Sequence, residues 1–324
     1  EIREDFNDYL GEAQAVDAGI GIILEELDNI GELDNTLIVI SGDHGIPGFP
    51  RSKANLYDIG TQVTLAARWP QKIQPGKVIH EFVNIMNLAP TFLDAARETP
   101  PDQMVESLLP LMTGASSRES SSDLGYVITG RERHVAWSQK DGKPYPSRAI
   151  RTQDYMYIRN FAPERWPNGH PGELVDPNIV DPDRMAELGA YGGMFQLVYR
   201  DLDGGPTKEW LLTNRSKPDV KPKFDLCFGK RPAEELYDLK SDPDYLINVA
   251  GDPEYLETVK ELSSKLLKTL QDRNDPRLQG ENCKFEHSPF AGPVDAKWYE
   301  ERDSQIEDRK RRARANSSKH LKSQ

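Results

Sequence analysis

A carboxylate and an imidazole stand next to each other at the end of an apolar run. Asp43 and His44 follow residues 36–40, a β-branched stretch typical of a strand buried on both faces. Open α/β sheets place their sites at the carboxyl ends of such strands. Both side chains bind divalent cations, so the pair predicts a metal site, in which oxygen suits calcium and imidazole nitrogen suits zinc or manganese. Because glycines flank the pair, a turn with local hydrogen bonds is the alternative interpretation.

The composition excludes several classes of protein. A chain of 324 residues with 37% hydrophobic content can bury a large core. The formal charge of -12 argues against general nucleic-acid binding, since phosphate backbones are held by an excess of Lys and Arg. The sequence has no apolar run long enough to predict a membrane span. Two cysteines, Cys227 and Cys283, are too few for a disulfide framework or a zinc ribbon.

The elements that would position Asp43 and His44 alternate between helix and strand. Apolar residues recur every three or four positions over 10–30, which predicts an amphipathic helix packed on a sheet and ended by Gly31. The strand at 36–40 is predicted to be parallel to its neighbours. A second strand is predicted at 62–70 and a helix at 84–96. This alternation predicts an α/β layer.

A serine-rich break at 113–122 separates this layer from a different pattern. Short strands are predicted at 148–151 and 155–159, around a turn at 153–154, in a small antiparallel sheet. A helix over 254–271 should cover one face of that sheet with six inward residues, Leu256, Val259, Leu262, Leu266, Leu267 and Leu270. We therefore predict an α/β catalytic part over 1–115, a small α+β domain over 116–275 and an irregular charged tail over 276–324.

Several motifs, in a fixed order, resemble the sulfatase family of the alkaline phosphatase superfamily. They are LDNTLIVISGDHG from Leu33, RSKANLYDIG from Arg51, RWP from Arg68, LAPTFL from Leu88 and AEELYDL from Ala233 with the following SDP and NVA. The sub-family that the motifs most resemble contains heparan N-sulfatase and bacterial arylsulfatases. The resemblance implies the C-terminal part of an alkaline-phosphatase-like α/β sandwich, followed by a small antiparallel-sheet-plus-helix domain.

The resemblance also implies roles for individual residues. Asp43 and His44 are expected to bind the active-site divalent cation, most often Ca²⁺; Zn²⁺ and Mn²⁺ are alternatives, because many sulfatases have Asn where His44 stands. Lys53 is expected to neutralise charge on the transferring group; a solvated loop lysine is the alternative. His134 and Arg148 are expected in loops that reach toward the substrate, with a structural histidine and a surface arginine as the alternatives.

The nucleophile of the family is a cysteine in Cys-x-Pro-x-Arg, which is oxidised to formylglycine. Cys227 begins a similar run, but Gly229 replaces the proline and the run lies far from the family position, so Cys227 is expected to be a partly buried strand residue. In the family, the nucleophile and the first metal-binding aspartates precede the helix with which this sequence starts. The chain is therefore expected to be a C-terminal portion that is inactive alone.

The implied activity is hydrolysis of sulfate esters or sulfamates of a sulfated small molecule or glycan, in the periplasm, the cell exterior or the lysosome. His44 keeps a phosphodiesterase or phosphonate hydrolase open as an alternative. A non-catalytic module that binds sulfated glycans is the second alternative.

Overall fold

The structure, a computed structural model, describes residues 2–115, 125–135, 138–139, 142–171 and 198–287. The helices are α1 (Ile2–Asn29), α2 (Asp58–Thr61), α3 (Leu88–Ala95), α4 (Leu109–Thr113), α5 (Pro206–Asn214), α6 (Lys221–Phe228) and α7 (Leu256–Asp272). The strands are β1 (Ile38–Ser41), β2 (Leu65–Arg68), β3 (Tyr126–Arg131), β4 (Ser147–Thr152), β5 (Tyr155–Asn160) and β6 (Glu234–Asp238). None of the helices in these ranges is both long enough and apolar enough to cross a bilayer.

The first region, residues 2–115, is sparsely packed around its strands. β1 pairs antiparallel with β2, with Ile38 opposite Arg68 and Ser41 opposite Leu65. The prediction of a parallel strand buried on both faces is therefore wrong. Within the part of the chain that the structure describes, β1 has a single strand neighbour, so its side chains are half-buried or exposed.

Helix α1 forms as predicted but does not pack on a sheet. It has no buried residue, and Val16 and Ile30 on the predicted inward face are 63% and 67% exposed. Its anchoring contact is near its N-terminus, where the Asp5 carboxylate accepts hydrogen bonds from the backbone N–H and the hydroxyl of Thr207. Gly31 follows the helix with a φ of 73°, the left-handed conformation that ends helices at little steric cost.

The predicted helix at 84–96 is present as a 3₁₀ turn (Ile85–Asn87) followed by α3. The Asn84 side chain accepts a hydrogen bond from the backbone N–H of Met86, which satisfies a donor at the helix start. Pro90 lies in the first turn of α3, where its missing N–H costs nothing.

The second region, residues 125–287, is built on a four-stranded antiparallel sheet in the order β3-β4-β5-β6. The two strands predicted around the turn at 153–154 are confirmed as β4 and β5. One face of the sheet carries Ile150, Tyr157 and Leu236, which pack in one buried cluster with residues of α7.

Helix α7 covers this face with Leu262, Leu266 and Leu270, spaced four residues apart and therefore on one stripe. Leu256 and Leu267 were predicted to point inward but are 47% and 38% exposed. Leu267 is about 100° around the helix from Leu266, so the two cannot share a narrow contact stripe.

The opposite face of the sheet is covered by a segment of the first region. Ala149, Met156 and Ile158 form a buried cluster that includes Leu56 and Tyr57. The segment that follows Asp43 and His44 in the sequence is thus packed against the sheet of the second region.

The chain after α7 remains packed to residue 287. Residues Pro276–Asn282 and Lys284–Glu286 form 3₁₀ helices, and the buried Arg277 pairs with Glu132 and Glu286. The tail predicted from 276 thus begins with two short 3₁₀ helices that ion pairs join to the second region. Residues 288–324 and most of the serine-rich break lie outside the described residues.

Candidate active site

Asp43 and His44 lie just beyond the end of β1. The strand pairing continues for one residue, since the Gly42 N–H donates to the Thr64 carbonyl at 3.0 Å, and the two side chains then leave the sheet. His44 Nε2 is 3.1 Å from Asp43 Oδ2, and the side chains are 35% and 85% exposed. The other ring nitrogen, Nδ1, is 2.8 Å from the Gly45 carbonyl oxygen.

These contacts suit a divalent cation. A carbonyl oxygen only accepts hydrogen bonds, so the contact of Nδ1 with the Gly45 carbonyl suits a proton on Nδ1. The 3.1 Å contact of Nε2 with Asp43 Oδ2 suits either a ring proton donated to the carboxylate or a cation bound by both atoms. Asp43 and His44 would supply one oxygen and one nitrogen ligand to such a cation. The pair fits such a cation but supplies only two ligands; the described residues contain no cluster of three or more His, Cys, Asp or Glu that could hold a metal.

Gly45 connects this pair to the segment that carries Lys53. Its N–H donates to the Gly60 carbonyl at 3.1 Å, and a Cβ at this position would lie 1.7 Å from the Ile59 carbonyl oxygen. Only glycine therefore fits here. The Ser52 hydroxyl donates to the same Ile59 carbonyl at 3.1 Å, so the residue after Asp43–His44 and the residue before Lys53 lie against one turn.

The backbone on both sides of Lys53 is in an unfavourable conformation. Arg51 and Ala54 have φ values of 59° and 65°, in the left-handed region that non-glycine residues seldom occupy. Such conformations persist only where the surroundings hold them. The surroundings here are a buried cluster of aromatic and charged side chains.

Arg51 is the first anchor of the Lys53 segment. Its guanidinium donates to the Tyr245 carbonyl and to the Tyr237 hydroxyl, and it lies 4.4 Å from the centre of the Tyr57 ring. The Tyr57 hydroxyl donates to the buried Glu235 at 2.7 Å. Burial raises the pKa of Tyr57 well above its ordinary value, so this hydroxyl keeps its proton and remains a donor.

Arg131, the last residue of β3, is the second anchor. Its guanidinium donates to the carbonyls of Ala54 and Pro167 and, at 2.8 Å, to the Asp201 carboxylate. The second oxygen of Asp201 accepts from the backbone N–H of Val135 at 2.9 Å. The Arg131 guanidinium and its partner Asp201 therefore connect three segments by hydrogen bonds. These are the segment that carries Lys53, the loop after β3 and the loop around residue 201.

Lys53 lies against the loop around residue 201. Its ammonium is 3.1 Å from Asp203 Oδ2, and the two side chains are 22% and 40% exposed. The contact does not meet hydrogen-bond geometry, so it is an ion pair without a well-aligned hydrogen bond.

His134 joins Lys53 in the same cluster of charges. Burial lowers the pKa of His134; Arg131 and Lys53 lower it further, while Asp201 and Asp203 oppose this. The imidazole is therefore neutral near pH 7. His134 and Lys53, two of the predicted site residues, are thus close enough to influence each other electrostatically.

Arg148 differs from its prediction. It lies within β4 and not in a loop, and its side chain is buried. All five N–H donors are used, on Asp275, Glu132 and the carbonyls of Arg131 and Ser147. Substrate binding would have to break these contacts, so the geometry is that of a structural ion pair.

Cys227 also differs from its prediction. It belongs to α6 and not to a strand, and it is fully buried. Burial raises the pKa of its thiol to about 12. A thiol that stays protonated is a poor nucleophile, which agrees with the mismatch of its motif.

Sequence reasoning did not identify Asp203, Arg131 or Asp201. The Gly204-Gly205 pair signals a turn near Asp203, but no local pattern shows that this turn meets the Lys53 segment. Arg131 stands at the end of a strand with no motif around it. Contacts of this kind depend on the tertiary fold.

Residues 2–98 match the family model described as Sulfatase. The chain is 29% identical over 238 residues to an ulvan-active sulfatase of Formosa agariphila, covering 73% of this chain and 37% of that protein. It is 26% identical over 266 residues to N-sulphoglucosamine sulphohydrolase of Homo sapiens, covering 81% of this chain and 46% of that protein. The chain thus spans less than half the length of these curated relatives.

The chain is similar in fold to a solved structure of a protein in complex with its substrate D-glucosamine-2-N,6-O-disulfate. The TM-score is 0.53 at 24% sequence identity, and the match covers 83% of this chain and 40% of that one. This similarity shows an alkaline-phosphatase-like α/β fold. Similarity to sulfatases covers residues 2–98 by the family model and continues into the second region in the curated relatives. The predicted resemblance is confirmed. Sulfatases are generally metal-dependent.

Proposed function

We propose that the protein containing this chain is a sulfatase that hydrolyses sulfate esters or sulfamates of sulfated glycans. The observation that carries the proposal is the sulfatase-family match of residues 2–98, in which Gly45 packs the Asp43–His44 pair against the segment that holds Lys53. The relative named for N-sulphoglucosamine supports a sulfated sugar as the substrate class. Export to the periplasm, the cell exterior or the lysosome is part of this proposal.

Asp43 and His44 would hold the divalent cation. Ca²⁺ is the expectation from the family, and the imidazole nitrogen makes Mn²⁺ and Zn²⁺ the alternatives to test. When bound, such a cation supplies Lewis acidity at an oxygen of the sulfate group. We assign the remaining ligands and a formylglycine nucleophile to residues outside these 324, which contain no Cys-x-Pro-x-Arg or Ser-x-Pro-x-Arg.

Lys53 would bind the sulfate oxygens. Its ammonium is a partly desolvated point charge, and its position is fixed by the anchored backbone on both sides. His134 would contribute a neutral ring nitrogen beside it, as a hydrogen-bonding partner for the substrate. Arg148 is left out of the proposed site, because its donors are already occupied.

The test uses protein expressed from the complete gene, assayed on glucosamine 6-sulfate, 4-nitrophenyl sulfate and 4-nitrophenyl phosphate. We expect the sulfate esters to be preferred, and Asp43→Ala to lower kcat/KM by about a hundredfold or more because a metal ligand is lost. Asp34→Ala is the matched control, since Asp34 is also an exposed aspartate of the first region. Removal of metal by a chelator and return of Ca²⁺, Mn²⁺ or Zn²⁺ identifies the ion. A dominant phosphatase rate would contradict the proposal.

A further inference from the structure

Asp203 shares its surface with Lys53 but has no role in the function proposed above. Its Oδ2 atom is buried against the Lys53 ammonium, while the side chain as a whole is 40% exposed. The oxygen open to solvent is therefore Oδ1. The surface thus presents a cation and a carboxylate oxygen side by side.

A buried lysine stabilises the loop that carries Asp203. Lys208 is fully buried in α5, and its ammonium donates to the carbonyls of Tyr199 at 3.1 Å and Leu202 at 2.8 Å. Two residues before Asp203, Asp201 is fixed by Arg131. The position of the Asp203 carboxylate is therefore set by buried contacts, as a specific binding group requires.

The Lys53–Asp203 pair differs from an ordinary surface ion pair of the second region. Lys221 and Asp225 form an i,i+4 pair on α6, with side chains 61% and 52% exposed. Both belong to one helix, so their proximity follows from helix geometry alone. Lys53 and Asp203 come from segments far apart in the sequence, and each segment is separately anchored.

We propose that Asp203 is a specificity-determining residue whose carboxylate accepts hydrogen bonds from the sugar hydroxyl groups next to the sulfate that Lys53 binds. This inference rests on the proposed function. A sulfated sugar places an anion and hydroxyl donors within a few ångströms of each other, and the Lys53–Asp203 pair complements both. A sulfate ester without hydroxyl groups offers Asp203 no donor and brings it only a like charge.

The test compares Asp203→Asn with the wild type in the complete protein, using glucosamine 6-sulfate and 4-nitrophenyl sulfate. We expect kcat/KM on glucosamine 6-sulfate to fall roughly tenfold or more, mainly through KM, since hydrogen bonds to charged groups are strong. On 4-nitrophenyl sulfate we expect an unchanged or severalfold higher kcat/KM, because Lys53 loses its competing anion. Asp225→Asn removes the carboxylate of the α6 pair and should change neither value.

The outcomes separate the two proposals. An equal loss on both substrates would mean that Asp203 only maintains the structure, and no loss on either would mean that it does not contact the sugar; each overturns the inference and leaves the sulfatase proposal standing. Absence of hydrolysis of both sulfate esters and sulfamates by the wild type would overturn both.

Discussion

The two regions of this molecule differ in how firmly they are packed, and Lys53 lies where they meet. In the first region, the apolar face of α1 is exposed and β1 has one strand neighbour in the described chain. In the second region, the sheet is covered on both faces, by α7 on one side and by Leu56 and Tyr57 on the other. The proposed sulfate-binding lysine belongs to the first region by sequence, but it is held by the second.

This difference explains why the proposed site needs residues from distant parts of the chain. The metal-binding pair depends on local sequence, because Asp43 and His44 are adjacent at the end of β1. Lys53 depends instead on Arg131 and Arg51, which connect its strained backbone to the second region. Changes in the second region should therefore disturb Lys53 more than they disturb the metal-binding pair.

The largest effect is expected for Arg131→Met. The substitution leaves the Asp201 carboxylate buried and unpaired, which costs about 3–5 kcal/mol in the free energy of unfolding and releases the carbonyl of Ala54. Denaturant unfolding measures the change. The matched control is Arg159→Met, which breaks a partly exposed pair with Glu234 and should cost less than about 1 kcal/mol.

A second variant distinguishes an unpaired charge from lost packing. Asp201→Asn in the Arg131→Met background removes the stranded carboxylate and should recover part of the lost stability. If Arg131→Met alone were as stable as the control, the two regions would not be joined through this residue.

A smaller effect compares the apolar contacts of the two regions directly. Leu266→Ala empties a fully buried position under the sheet and should cost about 2–5 kcal/mol. Ile23→Ala in α1 removes a side chain that is 60% exposed and should change stability by less than about 0.5 kcal/mol. Both are measured by denaturant unfolding; equal losses would mean that α1 is covered in solution.

Sequence reasoning predicted those features that depend on neighbouring residues. The helices α1, α3 and α7 and the strands β4 and β5 follow from periodicity and turn residues, and all are present. The direction of β1 was wrong, because a β-branched run favours a buried strand but does not determine its partner. The exposure of α1 could not be predicted, since an apolar stripe shows that a face can be buried but not what covers it.

The same division applies to the candidate site. Family motifs identified Asp43, His44 and Lys53, and the structure places their segments in contact at Gly45. The role of Arg148 could not be seen, because its partners Glu132 and Asp275 lie in other segments and only the fold brings them together. These site assignments remain predictions until the variants are assayed.

The smallest expected effect concerns His134 and the pH dependence of stability. Burial lowers its pKa in the folded protein below the value of about 6.5 expected in the unfolded chain. Between these two values the unfolded state binds more protons, so the free energy of unfolding falls as the pH drops below about 6.5 and levels off beneath the folded pKa. Because His134 is exposed, screening by solvent keeps the change below about 1 kcal/mol.

His134→Gln should remove this slope, and urea unfolding between pH 5 and 7.5 measures it. His80→Gln is the matched control, because His80 is an exposed histidine of the first region. Its replacement should leave the pH dependence of unfolding the same as in the wild type. At the same time, sulfate binding by the wild type should tighten as His134 gains a proton beside Lys53, and this gain should be absent from His134→Gln. If His134→Gln and the wild type gave identical pH profiles, His134 would not belong to the cluster of charged side chains around Lys53 and Arg131.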